Sequence, residues 1–286
     1  MLFTKIKPML AKPGELYNDA RCLYEPKVDG IRLLLHCVFN ERKVGLYTRH
    51  GTRITNQFPE FQSFSLPGVQ SIILDGELTH LTNGQPNFNK VMKRFSAGTQ
   101  KTAHLAKQFP CSIVVFDILY LNGKKVIDLP LIERKQILAN TVPDTDLVCK
   151  VFYLEKHGTA LFNQIVERKL EGIMVKPLDS PYFLGKRGAW IKHKNYYRDS
   201  NMEVLGYIYG TGRLLVGKNN RPFAQALGLP TADRDALIRL LPEIEVNRVK
   251  DTVFIKKGIN CKIKYTMGAG NNIRECVFDG WNLFEG

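Results

Sequence analysis

The alternation of apolar and polar positions divides the chain into short strands and a few helices. Apolar runs bounded by turn residues predict strands over 31–38, 44–48, 71–74, 112–119 and 172–175. Turns such as Arg49-His50-Gly51-Thr52, Pro67-Gly68 and Asn122-Gly123 separate them. Apolar residues at three- and four-residue steps predict helices over 88–108, 132–140 and 159–169. Residues 1–20 are polar, hold two prolines and read as a lead-in. The short connections predict mostly antiparallel pairing, and the mixture an α+β fold.

A seam falls at 195–200, Asn-Tyr-Tyr-Arg-Asp-Ser. Beyond it, strands are predicted over 202–209, 213–216, 253–255 and 262–265, with one helix over 233–241. Short strands with a single helix suit a small OB-fold barrel, and a helix-decorated sandwich is the competing fold. The expected domains are therefore 1–197 and 198–286.

Composition narrows the partners. With 44% hydrophobic and 24% charged residues in 286, the chain has the make-up of a globular protein with room for two cores. No window approaches the roughly 18 apolar residues of a membrane span. The N-terminus carries no apolar leader, so export is not expected. Six scattered cysteines without a CxxC pair argue against zinc and for a reduced, cytoplasmic setting. The formal charge is +14. Residues 198–286 hold 13 basic and 10 acidic side chains, so most of the excess lies in 1–197. Such an excess points to a polyanionic partner, nucleic acid above all.

The candidate chemistry begins at Lys27-Val28-Asp29-Gly30-Ile31-Arg32, where an amine and a carboxylate stand at the mouth of a strand. Gly30 removes the side chain where a backbone or a phosphate could come close. Further along come Thr48-Arg49-His50-Gly51, Leu74-Asp75-Gly76-Glu77, Phe116-Asp117, Glu171-Gly172-Ile173-Met174-Val175-Lys176 and Trp190-Ile191-Lys192-His193-Lys194. Taken singly, each has a plainer reading: a solvated strand face for Lys192 and Lys194, core packing for Phe116, surface ion pairs for the carboxylates. In this order and spacing, the six segments resemble the motifs of covalent nucleotidyltransferases, and most of all the small ATP-dependent DNA ligases of bacteria, bacteriophage and viruses. The resemblance is close over 24–194 and weak in the tail.

That resemblance implies an adenylation domain of antiparallel sheets followed by an OB-fold domain. It implies a lysyl-AMP made from ATP on Lys27, passage of AMP to the 5′-phosphate of a nick in duplex DNA, and sealing by the 3′-hydroxyl. Arg32, Lys176, Lys192 and Lys194 would ring Lys27 with positive charge and neutralise phosphate. Glu77 would contact ribose or metal, Glu171 the divalent cation (Mg²⁺ or Mn²⁺), and Asp29 a metal-bound water or Lys27 itself. Phe116 would stack on adenine, Glu25 would read the base edge, and Arg49 would touch ribose or phosphate. Asp75 would brace its turn, and His50 and His193 would be bystanders. The tail departs from the family's Arg-x-Asp-Lys run. Its nearest text, from Asn272 to Trp281, offers Arg274 but no lysine after Asp279. Lys256, Lys257, Lys262 and Lys264 are the substitutes, or DNA-phosphate contacts. The alternatives are an RNA ligase, a GTP-using capping guanylyltransferase and, without chemistry, a basic nucleic-acid-binding module. A monomer clamping its DNA is expected.

Overall fold

The computed structural model describes residues 1–268 and 273–282, and the chain parts into two compact units, Met1–Asn195 and Tyr196–Gly286. The first unit begins with β1 (Leu10–Pro13), β2 (Cys22–Pro26), β3 (Ile31–Val38), β4 (Lys43–Thr48), β5 (Ser71–Thr79) and the hairpin β6 (Leu81–Thr82) and β7 (Gln85–Pro86). Then come α1 (Phe88–Phe95), α2 (Thr99–Gln108), β8 (Ser112–Leu121), β9 (Lys124–Lys125), α3 (Leu131–Thr141), β10 (Val148–Lys150) and β11 (Leu154–Glu155). It closes with α4 (Gly158–Glu167), β12 (Gly172–Pro177) and β13 (Arg187–Lys194). One sheet has the order β1-β13-β12-β2-β11, the other β10-β8-β5-β3-β4 with β9 on β8. Pairing is mostly antiparallel, with β1 on β13 and β10 on β8 parallel.

Strand alternation explains the layering. Leu34 and Ile73 on one face of the second sheet meet Leu23 and Trp190 of the first in a shared buried cluster that also holds Met9 and Leu119. Leu33, Leu35, Ile72 and Leu74 face the other way, packing with Val91 of α1 and Leu138 of α3. Behind the first sheet, Tyr24, Ile173 and Val175 pack on Leu161 and Ile165 of α4.

Three expectations change. The lead-in is structural: Ile6 and Met9 are buried, β1 pairs with β13, and Met9 N–H donates to Tyr182 Oη at 3.0 Å. The helix over 88–108 is two helices. Ser96 closes α1, its N–H donating to Met92 O at 2.9 Å, and Gly98 is extended before α2 starts. The strand at 71–74 runs on to Thr79, so Asp75 lies inside β5 rather than at a turn, and Glu77 lies inside it as well.

The second unit holds β14 (Tyr197–Ile208), β15 (Arg213–Lys218), β16 (Arg221–Ala226), α5 (Thr231–Ile244), β17 (Glu245–Val249), β18 (Thr252–Ile255), β19 (Asn260–Met267) and β20 (Ile273–Trp281). They form one curled, OB-like sheet. The long β14 causes the curl, its first half pairing with β19 and its last residues with β18. The register slips between Asp199 and Met202 and again between Val204 and Gly206. Gly206 is needed there, since a Cβ would stand 2.4 Å from Val253 O. Leu237 and Leu241 of α5 pack on this unit's own core.

Candidate active site

Lys27 follows directly on β2 and is fixed by its backbone, its N–H donating to Gly172 O at 2.8 Å. Its Nζ donates to Glu171 Oε2 at 2.6 Å, across 144 residues of sequence. The two side chains are 23% and 17% exposed, so the pair lines an accessible edge rather than the core. Two glycines permit this placement. A Cβ on Gly30 would stand 2.2 Å from Leu78 O, and one on Gly172 2.3 Å from His193 O. Either side chain would push the backbone carrying Lys27 or Glu171 away from its neighbour.

Arg32, inside β3, has a carboxylate of its own. Its Nε and Nη2 donate to the two oxygens of the fully buried Asp75 at 3.0 and 2.6 Å. Tyr182 Oη donates to the same carboxylate at 2.6 Å. Burial works against the charge on Arg32, and Asp75 with Tyr182 outweighs it, raising the guanidinium above its ordinary pKa. Asp75 thus braces Arg32. Glu77 stands opposite Arg32 in the strand register and its Cγ lies close to Gly30. Burial pushes the Glu77 carboxyl up to about 8; Lys27 and Arg32 draw it down, Glu171 and Asp29 push it further up.

Glu25 is buried between two lysines, Lys135 at Oε1 and Lys176 at Oε2, the second contact 2.6 Å. Burial alone would raise this carboxyl, but the two ammonium groups outweigh it and hold the pKa below its usual range. Burial brings Lys176 down to about 8 against the pull of Glu25. The Lys176 Nζ sits over the rings of Trp190 (4.0 Å) and Phe116 (4.6 Å). Phe116 keeps part of its surface exposed, unlike its neighbours Val115 and Asp117. Trp190 is buried edge-on to Phe116, and its Nε1 finds no hydrogen-bond partner among the described residues.

Lys192 and Lys194 share the face of β13 that carries Trp190, opposite Met174 and Gly172 of β12. Glu25, Lys27, Arg32, Glu77, Phe116, Glu171, Lys176, Lys192 and Lys194, from six strands and their ends, therefore converge on the edges where the two sheets face each other. Arg49 lies apart from these contacts, exposed on the turn after β4 with its Nε donating to His50 Nε2 at 3.0 Å. The cations around Lys27 do not form a bare positive ring, since Arg32 and Lys176 each bring a carboxylate. Lys135 is the residue that sequence reasoning missed. In the second unit, Lys264 donates to Asp279 Oδ1 at 2.7 Å, while Lys262 and Arg274 are exposed on β19 and β20. Asn272 lies outside the described residues.

A family model described as an ATP dependent DNA ligase domain matches residues 8–194. The SPbeta prophage-derived DNA ligase-like protein LigB of Bacillus subtilis is 32% identical over 97% of this chain and 99% of its own length. A probable DNA ligase of Saccharopolyspora erythraea is 34% identical over 73% of this chain, which spans 41% of that longer protein. Among solved structures, the ligase domain of M. tuberculosis LigD superposes at TM-score 0.61 and 22% identity, covering 98% of this chain and 96% of that one. A Lig E DNA ligase superposes at 0.67 and 19%, covering 96% and 98%. At these identities the superpositions show the fold, that of minimal ligases with antiparallel sheets and an OB-like sheet. The family model and the full-length relative show more: this chain belongs to the ATP-dependent DNA ligases.

Proposed function

We propose that the chain seals nicks in duplex DNA by way of AMP carried on Lys27, with residues 1–197 as the adenylating domain and 198–286 as the OB-fold domain. The observation that carries this reading is the Lys27–Glu171 pair, 2.6 Å long and accessible. Attack on the α-phosphorus of ATP needs the amine without its proton, and Glu171 Oε2 is the acceptor in place to take it. The Nζ–P bond then forms as the bond to pyrophosphate breaks. Arg32, fixed by Asp75, and Lys192 and Lys194 offer donors for phosphate oxygens, which is most of what phosphoryl transfer asks of a protein. Phe116 offers a stacking face for adenine, with Glu25 and Lys176 at the base edge. Arg49 is proposed to reach the ribose or a phosphate.

Burial raises the Glu77 carboxyl and the charges of Glu171 and Asp29 add to that push, which a divalent cation bound beside these acids would relieve. No three His, Cys, Asp or Glu side chains among the described residues form a ready-made cage. Mg²⁺ takes few protein ligands and keeps its waters, so these carboxylates are proposed to hold it through one or two contacts. Bound there, the ion would neutralise phosphate charge. AMP then passes to the 5′-phosphate of the nick, and the 3′-hydroxyl displaces it. The +14 charge supports a duplex held through its phosphates, with Lys262, Lys264 and Arg274 as contacts from the OB-like unit, and the chain is proposed to act as a monomer.

The test is sealing of a singly nicked, end-labelled duplex with ATP and Mg²⁺. Joining of nicked DNA is expected. Joining of nicked RNA alone would make the chain an RNA ligase, labelling by GTP alone would make it a capping-type enzyme, and binding without joining would leave a nucleic-acid-binding module.

A further inference from the structure

We infer that Lys135 of α3, outside every motif, is a positioning residue for the base slot, holding Lys176 beside Phe116 by way of Glu25. The inference rests on the adenylating reading above and deepens it.

The four α3 residues Leu131, Arg134, Lys135 and Leu138 are all buried and fall at steps of three and four, the spacing of one helical face. Two cations therefore stand where an amphipathic helix would carry apolar groups, a placement seen only when such groups are paired. Each reaches a different sheet. Arg134 grips both oxygens of Asp117, the residue after Phe116, at 2.8 and 2.9 Å, and donates also to Leu129 O and Ser180 O. Lys135 reaches across to Glu25 of β2. One helix thus ties the strand of the aromatic platform and the strand that leads into Lys27.

The charges explain what Lys135 does for Lys176. Two ammonium groups share one carboxylate, leaving one surplus positive charge in a buried place. Lys176 shares Glu25 with Lys135 and its Nζ lies as well over Trp190 and Phe116, on the side of the base slot. An ammonium so placed has an N–H left to offer a ring nitrogen of a base stacked on Phe116. The groups facing Lys176 are Glu25 from β2, Lys135 from α3, Asp117 and Phe116 from β8, and Trp190 from β13, with Arg32 of β3 over the same two rings. Of these, Lys135 helps push the Lys176 proton off and Glu25 holds it on. Taking Lys135 away leaves Glu25 to Lys176, which becomes a closed ion pair turned from the slot.

The experiment is equilibrium binding of ATP to the full chain across pH, for wild type, Lys135→Met, Lys135→Arg and Glu25→Gln. Lys135→Met should bind ATP about tenfold more weakly near neutral pH. The alkaline fall in affinity, centred near the Lys176 value of about 8 in wild type, should move up by about one pH unit in that variant. Lys135→Arg should restore both, and Lys135→Met with Glu25→Gln should cost no more than Glu25→Gln alone. If Lys135→Met does not fold, Lys135→Gln carries the same expectations. Unchanged affinity and midpoint in the neutral variant, or losses that add in the double variant, overturn the inference while leaving the ligase reading intact. A wild-type chain that binds no ATP takes both down.

Discussion

The Arg32–Asp75 pair carries a quantitative prediction. Asp75→Asn keeps the shape of the side chain and removes its charge. Asp75 is fully buried and Arg32 is 16% exposed, so little water is at hand to replace the carboxylate. Breaking such a pair by neutralising one member typically costs about 3–5 kcal/mol, because the other charge stays behind uncompensated. The remaining exposure of Arg32 places this case near the lower end, about 3 kcal/mol. In a unit of this size that lowers the melting temperature by roughly 6–12 °C. The same change releases a phosphate donor from its seat, so Lys27 adenylation measured well below the melting point should slow by about tenfold or more. Tyr182→Phe is the control. It removes the hydroxyl that donates to Asp75 and accepts from Met9 N–H and, at 3.3 Å, from Arg32 Nη2, a loss of about 1–3 kcal/mol that leaves the Arg32 charge paired with Asp75. Calorimetry and a labelled-ATP time course on the three proteins decide the matter. An Asp75→Asn protein that melts within about 2 °C of wild type, or adenylates at the wild-type rate, refutes the assignment of Asp75 as the brace of Arg32.

Two further outcomes are expected. Gly30→Ala should abolish adenylation while the chain still folds, because the added Cβ would meet Leu78 O at 2.2 Å and shift the turn behind Lys27; retention of more than about a tenth of the rate contradicts this. His36, buried with its Nδ1 accepting from Phe3 N–H, is held down to about 4 by burial and by the N-terminal charge, below an unfolded value near 6.5. Between those values the unfolded chain binds the extra proton, so stability is full above about pH 6.5 and falls by up to about 3 kcal/mol as pH drops to 4. Denaturant titrations of wild type and His36→Gln at pH 7 and 4.5 should show this slope reduced in the variant, and equal slopes refute it.

How much of this could be read beforehand depended on whether the information was local. The strands β3, β4, β8 and β12 announce themselves as apolar runs between turns, and five of the six motifs name residues that come together, while Arg49 of the remaining one lies apart. β2 has no such signal. Its sequence Cys-Leu-Tyr-Glu-Pro sets a carboxylate among buried positions, and Glu25 is tolerable there only because Lys135 and Lys176 arrive from more than a hundred residues away. The lead-in hid β1 for a similar reason, since its partner β13 comes at the far end of the unit. The break between α1 and α2 rests on Gly98 being extended, while the apolar spacing runs straight through it. Lys135 could have been found: it falls with Arg134 on the Leu131–Leu138 face of α3, and cations on an apolar face imply buried acids elsewhere. The positive ring around Lys27 could not be judged from sequence, because Asp75 and Glu25 read as a turn brace and a base reader, not as the partners of Arg32 and Lys176.

The central claim is that the amine of Lys27 takes AMP from ATP. Incubating the chain with α-labelled ATP and Mg²⁺ and mapping the label by peptide mass should find a single acid-labile adenylate on Lys27, with none in Lys27→Ala. Label on another residue, or label that survives Lys27→Ala, would contradict the account.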